Sequence, residues 1–325
     1  MTAYIIRRVL YTIPLVLGVC LITFVLFEVL YTPEVRARRE LGQHATAEQV
    51  KDIIRARGWD RPLLLDLRAP GWQKVTTSRF VQHMTRLLTF RFGRSETTQE
   101  PIGRKILIGA VPSLTLTVPI FVLGLIVGIS LSLVVALLRG TYFDLFAVVA
   151  CVALMSISIL IYIIGGQYVF ARYMRLFPVY GYAPGFPSLR FVLLPVAIAV
   201  FKGIGGDVRF YRTVFLEEVG RDYVRTARAK GLSERAVLFK HVLRNAMVPI
   251  LTNTVLAIPF LFMGSLLLER FFGIPGLGNM TIEAIDSSDF QVLSTMVYLG
   301  ALLFAVGNLA TDISYTLADP RIRFQ

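Results

Sequence analysis

The chain has 325 residues, of which 55% are hydrophobic and only 17% charged, and its mean hydropathy is +0.65. Soluble domains usually keep about a quarter of their residues charged, so this composition excludes an ordinary soluble domain and indicates a membrane protein. The net charge of +13 would suit a nucleic-acid partner, but the arginines and lysines fall mostly between apolar segments, as in membrane loops. We therefore expect an all-α integral membrane protein without a nucleic-acid partner.

Six apolar stretches are long enough to cross a bilayer as helices, for which roughly 20 residues are needed. They run from about Ile5 to Tyr31, Pro112 to Leu138, Phe143 to Phe170, Leu189 to Phe215, Met247 to Phe272 and Val292 to Leu317. The first is longer than the apolar core of a signal peptide, which indicates a retained span. Pro119 predicts a kink in the second span, which helices in lipid tolerate.

The segments between the spans give the domain organisation. Residues 1–31 are the first transmembrane helix, and residues 32–105 are predicted to be an extracytoplasmic subdomain with short helices. Residues 106–317 form the five-helix core, with a cytoplasmic loop at 216–245, and residues 318–325 are the tail. The basic surface of the subdomain is either a partner site or, more simply, a solvated face, and Glu28 is expected at the outer interface.

Charge in the short loops predicts the orientation. Arg7 and Arg8 precede the first span, and Arg321 and Arg323 follow the last. Because short cytoplasmic loops are enriched in basic residues, both termini are predicted to be cytoplasmic, and the basic loop 216–245 falls on the same side. The insertion is basic as well, but segments of more than about 60 residues translocate largely regardless of charge.

The loop 216–245 has a helical pattern. Arg221, Arg225 and Arg228 fall on one face at helical spacing, and Val224 and Ala227 fall on another. Gly231 is placed to end this helix, and Ser233 is placed to cap the next one. The sequence therefore predicts a rigid helix–turn–helix within residues 216–245, and we call this helix–turn–helix the elbow. A basic loop lying on anionic lipid is the simpler alternative.

The order of residues in the elbow resembles the coupling loop of ABC-importer permeases of the dipeptide, oligopeptide and nickel class. The matching residues are Asp222, Tyr223, Val224, Arg225, Thr226, Ala227, Arg228, Ala229, Lys230, Gly231 and Leu232. Other stretches also resemble this family. They are Tyr4–Leu10, Phe177–Tyr182, Glu269–Gly278 and Asp319–Phe324. Arg225 replaces the acidic residue that opens the general importer signature.

The resemblance implies a six-helix type I importer permease, the first permease subunit of its importer, in the bacterial inner membrane. A paralogous permease would complete the pathway, one or two ABC ATPase subunits would bind ATP and Mg, and an extracytoplasmic binding protein would deliver substrate. Independently, the sequence has no Gly-Lys pair and hence no Walker phosphate loop, and its three histidines lack metal-ligand spacing. We expect no cofactor, metal site or catalysis in this chain. Replacing Ala227 or Gly231 by a bulky charged residue is expected to uncouple ATPase activity from uptake without preventing insertion.

Three charged residues are candidates for the pathway or its gate. Lys202 and Asp207 fall inside the fourth span, where charge normally faces protein or a water-filled cavity. Either Lys202 or Asp207 lines the pathway and contacts a peptide terminus, or the charge belongs to a structural ion pair between helices. Glu269, near the end of the fifth span, is a candidate for the outer gate, with solvation or pairing at a helix end as the alternative.

The resemblance implies di- or oligopeptides as substrates, with nickel complexes or antimicrobial peptides as alternatives. A secondary transporter driven by an ion gradient remains a rival. Such a transporter would usually show paired internal repeats, and no convincing similarity between the two halves is present. A membrane enzyme would need a clustered nucleophile, metal set or acid–base pair. A scaffold that transports nothing is the last alternative.

Overall fold

The computed structural model describes residues 2–29, 31–42, 45–64 and 78–318 of the chain. Within these ranges the regular structure is helical, apart from an isolated antiparallel bridge between Arg94 and Pro101. Trp72, His44 and the family-like ending Asp319–Phe324 lie outside the described residues.

The described residues form α-helices α1 to α14 in chain order. They are α1 (Thr2–Phe24), α2 (Pro33–Leu41), α3 (Ala47–Arg57), α4 (Arg79–Leu88), α5 (Ile102–Leu137), α6 (Tyr142–Ser156), α7 (Ile159–Gly166), α8 (Ser188–Val219), α9 (Asp222–Ala229), α10 (Glu234–Ala236), α11 (Leu243–Ala257), α12 (Leu266–Phe272), α13 (Leu277–Asp286) and α14 (Phe290–Ala318). Three π-helical turns and one 3-10 turn extend them. The π-helical turns are Val25–Val29, Gln167–Tyr173 and Val237–Val242, and the 3-10 turn is Ile258–Met263.

Among the described residues, five helical stretches are long and apolar enough to span a membrane, and a bent pair brings the number to six. The stretches are Arg7–Val29, Ile102–Leu137, Ser188–Val219, Glu234–Met263 and Phe290–Ile313, and the bent pair is Tyr142–Ser156 with Ile159–Tyr173. The predicted all-α membrane fold is confirmed, and the predicted count of six holds when the bent pair forms one span.

The third span differs most from the prediction of a continuous helix. Its two halves meet at an angle of 87°. Ile157 adopts an extended conformation between them, and the Ser158 hydroxyl accepts a hydrogen bond from the Leu160 N–H at 3.4 Å. A serine that caps a new helix competes with continuation of the old one, which explains the break.

Two other spans differ at their ends. Helix α5 begins ten residues before the predicted Pro112 and continues through both Pro112 and Pro119. The fifth span begins at Glu234 and ends at Met263, because Gly264 has a positive φ of 72° that stops the helix. The predicted end at Phe272 instead belongs to the separate helix α12.

Contacts divide the chain into two compact units, the first of which comprises residues 1–108 and 280–306. Its interior contains a buried charge cluster around Glu28, which is only 6% exposed. The Glu28 carboxylate accepts a hydrogen bond from Arg36 at 2.8 Å and another from Arg79. Arg36 also pairs with Glu96. Glu28 is thus enclosed by arginines of the insertion, and its predicted position at the outer interface stays a prediction. The predicted first span and insertion thus share one unit.

Aromatic and polar contacts complete this unit. The Phe24 ring lies 5.1 Å from Phe80, and Tyr31 lies 4.1 Å from Phe290. The Asp289 carboxylate accepts a hydrogen bond from the Ser95 hydroxyl just before α14 begins. These contacts join the insertion to the helices around it, so its short helices have a core rather than solvent on their inner faces.

The second unit comprises residues 109–279 and 307–325. Its largest buried core contains residues of α5, of α8, of the elbow and of the start of the fifth span. The members are Leu133, Ala136, Tyr211, Val214, Phe215, Val219, Val224, Ala227, Val237, Leu238, Val242, Ala246 and Ile250. This core positions the elbow.

Candidate functional site

The elbow has the local structure that its sequence predicts. Helix α9 runs from Asp222 to Ala229, and Gly231 follows it with a φ of 78°. The N–H of Gly231 donates to the Arg228 carbonyl at 2.9 Å, and that of Leu232 donates to the Ala227 carbonyl at 3.4 Å. These two bonds form a Schellman motif, in which a glycine takes the left-handed conformation that other residues avoid.

The second arm of the elbow begins at once. The Ser233 hydroxyl accepts a hydrogen bond from the Ala236 N–H at 3.4 Å and caps α10, as predicted. The chain then continues as helix through the turn Val237–Val242 into α11. The link between the two arms is therefore short and has fixed hydrogen bonds.

The apolar face of the elbow is buried. Val224 is fully buried, Ala227 is 4% exposed and Val237 is 1% exposed, and all three belong to the core described above. Ala227 thus faces the protein interior, and the prediction that a bulky charged residue there leaves insertion intact is at odds with its packing. Gly231 has open space around it, but its positive φ strains any other residue.

The opposite face of the elbow is exposed. The Asp222 and Arg225 side chains are 96% and 75% exposed and lie 3.5 Å apart. Thr226, Ala229, Lys230 and Leu232 are exposed as well. Leu232 keeps 41% of its surface exposed at the tip, which leaves a small, partly apolar and otherwise basic surface.

Two side-chain contacts brace the elbow. The Arg228 guanidinium donates to both carboxylate oxygens of Glu234, at 2.8 and 3.1 Å, and so bridges the two arms across Gly231. The Tyr223 hydroxyl donates to Glu218 at the end of α8. Burial and this hydrogen bond raise the pKa of Tyr223 to about 12. The elbow is therefore tied both within itself and to a spanning helix.

Lys202 lies beside the break in the third span. Its ammonium group donates to the carbonyls of Leu154 and Met155, each at 3.2 Å, and lies 5.9 Å from the centre of the Tyr162 ring. These carbonyls belong to the last turn of α6, where a helix lacks intrahelical partners and favours a positive charge. Lys202 thus caps a broken helix, an environment that differs from the predicted ion pair.

Asp207 lies where α8 approaches α5. A Cβ at Gly128 would lie only 2.9 Å from the Asp207 Cβ and 3.2 Å from the Tyr211 ring. Gly124, four residues earlier, also faces the Asp207 carboxylate. This pair of glycines has the small-xxx-small spacing that allows spanning helices to pack closely, and it is a signal in the sequence that the prediction missed.

Glu269 is fully buried in the second unit and bonded to backbone and hydroxyl donors. One of its oxygens accepts from the Ser113 hydroxyl at 2.8 Å and from the Ser265 N–H at 3.1 Å. The other accepts from the Asn279 N–H at 2.9 Å, in the first turn of α13. The Ser113 hydroxyl also accepts from the Leu277 N–H at 2.8 Å. Glu269 and Ser113 together therefore cap the beginning of α13.

Three glycines make room for this carboxylate. An added Cβ at Gly264, Gly276 or Gly278 would collide with the Glu269 side chain. The stretch Ile274–Gly278 has this composition because a buried carboxylate needs backbone N–H groups at close range. The sequence placed Glu269 at a gate or a solvated helix end, but the geometry gives it an internal bonding role. Its partner Ser113, 156 positions away, carries no local signal.

The part of the chain that the structure describes contains no group of three or more His, Cys, Asp or Glu side chains placed to hold a metal ion. The candidate residues do not converge on one catalytic centre. They form an exposed elbow, a helix cap at Lys202, a close packing point at Asp207 and a buried carboxylate at Glu269.

Residues 104–324 match the family described as "Binding-protein-dependent transport system inner membrane component". A putative peptide transport system permease protein of Brucella abortus (strain 2308) is 34% identical over 331 residues, covering all of both chains. A similar permease of Brucella suis biovar 1 is also 34% identical over the full length of both chains.

The glutathione transport system permease protein GsiC of Salmonella choleraesuis is 30% identical over 328 residues, again across both full chains. These full-length matches and the spanning helices confirm the importer-permease resemblance found in the sequence. The chain is a multi-pass protein that belongs to the family of inner membrane components of binding-protein-dependent transport systems.

Proposed function

We propose that the chain is one permease subunit of an ATP-binding-cassette importer for peptides. Two of the relatives are named for the transport of peptides and of glutathione, which is itself a short peptide, and they match over the whole chain. Nickel complexes and antimicrobial peptides remain alternative substrates. Membership in a family that depends on a binding protein favours this function over a transporter driven by an ion gradient.

Membership in the same family supports the following division of labour. A paralogous permease completes the pathway, and an extracytoplasmic binding protein delivers the peptide. One or two ATPase subunits bind ATP and Mg and dock on the elbow, which places both termini of this chain in the cytoplasm. In this arrangement the chain itself carries out no catalysis.

The observation that best supports this function is the construction of the elbow. Its apolar face belongs to the same buried core as residues of α5, α8 and α11, and its other face is exposed. A close-packed core transmits displacement because its side chains have little free volume into which to move. Movement of a subunit docked on the exposed face would therefore shift the spanning helices and open the pathway alternately to each side.

The roles of the intramembrane residues follow from their contacts. We assign Lys202 to holding the break in the third span and Glu269 to holding the beginning of α13. Asp207, half-buried where α5 and α8 meet, remains the best candidate for a residue that lines the pathway. Transport by an Asp207→Asn variant tests this role, with an unchanged rate arguing against it.

Ala229→Arg is the variant that tests coupling directly. Ala229 is exposed on the elbow and outside the buried core, so the substitution adds bulk and charge to the docking face without disturbing packing. In proteoliposomes containing the whole transporter with its binding protein, we expect peptide uptake to fall at least tenfold. ATP hydrolysis should no longer respond to the loaded binding protein.

The matched control is Ala56→Arg, the same change at an exposed position of α3 in the other unit. It should leave both uptake and ATP hydrolysis near the wild-type values. Normal coupled uptake by the Ala229→Arg transporter, at equal protein levels, would show that the exposed face of the elbow does not receive the ATPase subunits.

A further inference from the structure

The second unit contains a cavity of about 110 Å³ between α5, α6 and α8. Val135, Ala147, Cys151 and Val208 contribute an apolar wall, and Arg209 and Arg212 also line the cavity. The cavity has room for a few methylene groups, together with a polar group that contacts the arginines.

The two helices on either side of the cavity are held at both ends. At one end a Cβ on Gly205 would lie 2.7 Å from the Cys151 carbonyl oxygen, so α6 and α8 are in close contact there. At the other end Arg212 donates to both oxygens of Asp144 at 2.8 Å. The lining residues Ala147, Val208 and Arg209 come from the turns between these two fixed points.

The ion pair between Arg212 and Asp144 also indicates how deep in the membrane the cavity lies. Asp144 accepts a hydrogen bond from Gly140 N–H in the turn that precedes α6, so Arg212 lies near a membrane boundary. Arg209 precedes Arg212 by three residues on α8, about one helical turn further from that boundary. Its side chain is exposed, and the described residues supply it with no ion pair. Arginine at such a depth extends toward the headgroups of the lipid.

We propose that this cavity holds an anionic phospholipid, with its phosphate on Arg209 and Arg212 and part of an acyl chain along the apolar wall. Arg212 uses its Nε and one terminal nitrogen for Asp144, which leaves the other terminal nitrogen to donate to phosphate. Asp144 neutralises Arg212, so the charge of Arg209 selects an anionic lipid over a zwitterionic one. Basic pockets between spanning helices are known to suit such headgroups.

Native mass spectrometry of the delipidated intact transporter tests this inference. The probes are phosphatidylglycerol and phosphatidylcholine with identical acyl chains. We expect phosphatidylglycerol to occupy the wild-type complex in preference to phosphatidylcholine, and Arg209→Gln to reduce phosphatidylglycerol occupancy about fivefold. Arg209→Lys should retain most of the binding, because it keeps the charge.

The matched control is Arg190→Gln, at an exposed position near the opposite end of the same helix. It should leave phosphatidylglycerol occupancy unchanged. A second variant, Ala147→Leu, keeps both arginines and fills the apolar part of the cavity, so it should also lower occupancy.

Three results with the lipids would overturn the proposal, and a fourth concerns a soluble phosphate. The three are equal binding of the two lipids, equal loss in the Arg190→Gln and Arg209→Gln complexes, and full occupancy in the Arg209→Gln complex. Binding of water-soluble glycerol phosphate as strongly as phosphatidylglycerol would also overturn it, because the apolar wall would then contribute nothing. Lipid occupancy is measured only on fully assembled complexes.

Discussion

The insertion at residues 32–105 and the elbow are both basic in sequence, yet their arginines have opposite environments. In the insertion, Arg36 has a side chain only 2% exposed, and it pairs with Glu28 and Glu96. In the elbow, the Arg225 side chain is 75% exposed, and its neighbour Asp222 is 96% exposed. The first group of charges is part of a core, and the second is available to a partner.

The difference comes from the position of one carboxylate. Glu28 lies in the apolar first span, where an unpaired charge is costly, and the nearby arginines provide the compensating charge. The elbow lies beside no such buried acid, and its one strong pair, Arg228 with Glu234, is partly exposed. The arginines of a basic segment are therefore buried when a neighbouring span places a buried carboxylate beside them. We conclude that net charge alone identifies no docking surface.

Removing this carboxylate gives the largest expected effect. Glu28→Gln leaves Arg36 and Arg79 buried without their shared counter-charge, which typically costs about 3–5 kcal/mol. We expect a strongly reduced melting temperature and a low yield of assembled transporter. Thermal unfolding of the purified complex, followed by intrinsic fluorescence, measures the change.

Glu34→Gln is the control for that variant, because Glu34 is exposed at the beginning of α2. Its melting temperature should stay within about 1 °C of the wild type, as surface substitutions usually change stability by less than about 0.5 kcal/mol. Equal stability of the Glu28→Gln and Glu34→Gln complexes would mean that the buried cluster is not part of the core.

A smaller effect on stability is expected when the pH is lowered, and it arises from His83 in the same unit. His83 is buried beside Glu28, Arg79 and Arg86, and its ring nitrogen lies 3.1 Å from the Thr23 hydroxyl. Burial lowers the pKa of His83 to about 4, below the ordinary value of about 6.5. Between these values the unfolded chain binds the proton and the folded chain does not. The contribution of His83 to the free energy of unfolding is complete above pH 6.5 and is lost as the pH falls toward 4.

We therefore expect the wild type to lose roughly 3 kcal/mol more stability than His83→Gln between pH 6.5 and 4. Glutamine can retain the hydrogen bond with Thr23 and does not titrate. Melting temperatures of both complexes across this pH range give the comparison. Parallel curves for the two proteins would show that His83 takes up its proton without opposing the fold.

The elbow shows how much of the structure was predictable from the sequence. Helix α9, its end at Gly231 and the cap at Ser233 all depend on residues within a few positions of one another. The spans were predictable for the same reason, because apolar length is a local property. Local patterns also gave the buried positions Val224 and Ala227.

The environments of the charged residues depend on distant partners. Glu269 binds Ser113, and Lys202 caps a helix end that exists only because the third span breaks at Ser158. Composition cannot reveal such pairs, since neither partner marks the other in the sequence. The glycines at 124 and 128 were a readable signal, but their spacing identifies close packing and not the residue that packs there.

Substitutions at Arg228 and Glu234 are expected to have the smallest effect on stability. They also give the clearest contrast between the elbow and the buried charge cluster around Glu28. The Arg228 and Glu234 side chains are 35% and 62% exposed, and exposed pairs contribute about 0.2–1 kcal/mol. Arg228→Gln and Glu234→Gln should hardly change the melting temperature. Because the pair bridges the two arms across Gly231, either variant should still reduce the amount of peptide imported per ATP, by about twofold.

A double-mutant cycle separates this bridging role from simple loss of charge. If the pair acts as one brace, the double variant imports as much peptide per ATP as either single variant, since each change already removes the contact. Asp222→Asn is the control, because its pair with Arg225 lies within one helix and bridges nothing. Losses that add in the double variant would assign the two residues to separate contacts with the ATPase subunit. In that case the rigidity of the elbow would depend on its apolar core alone.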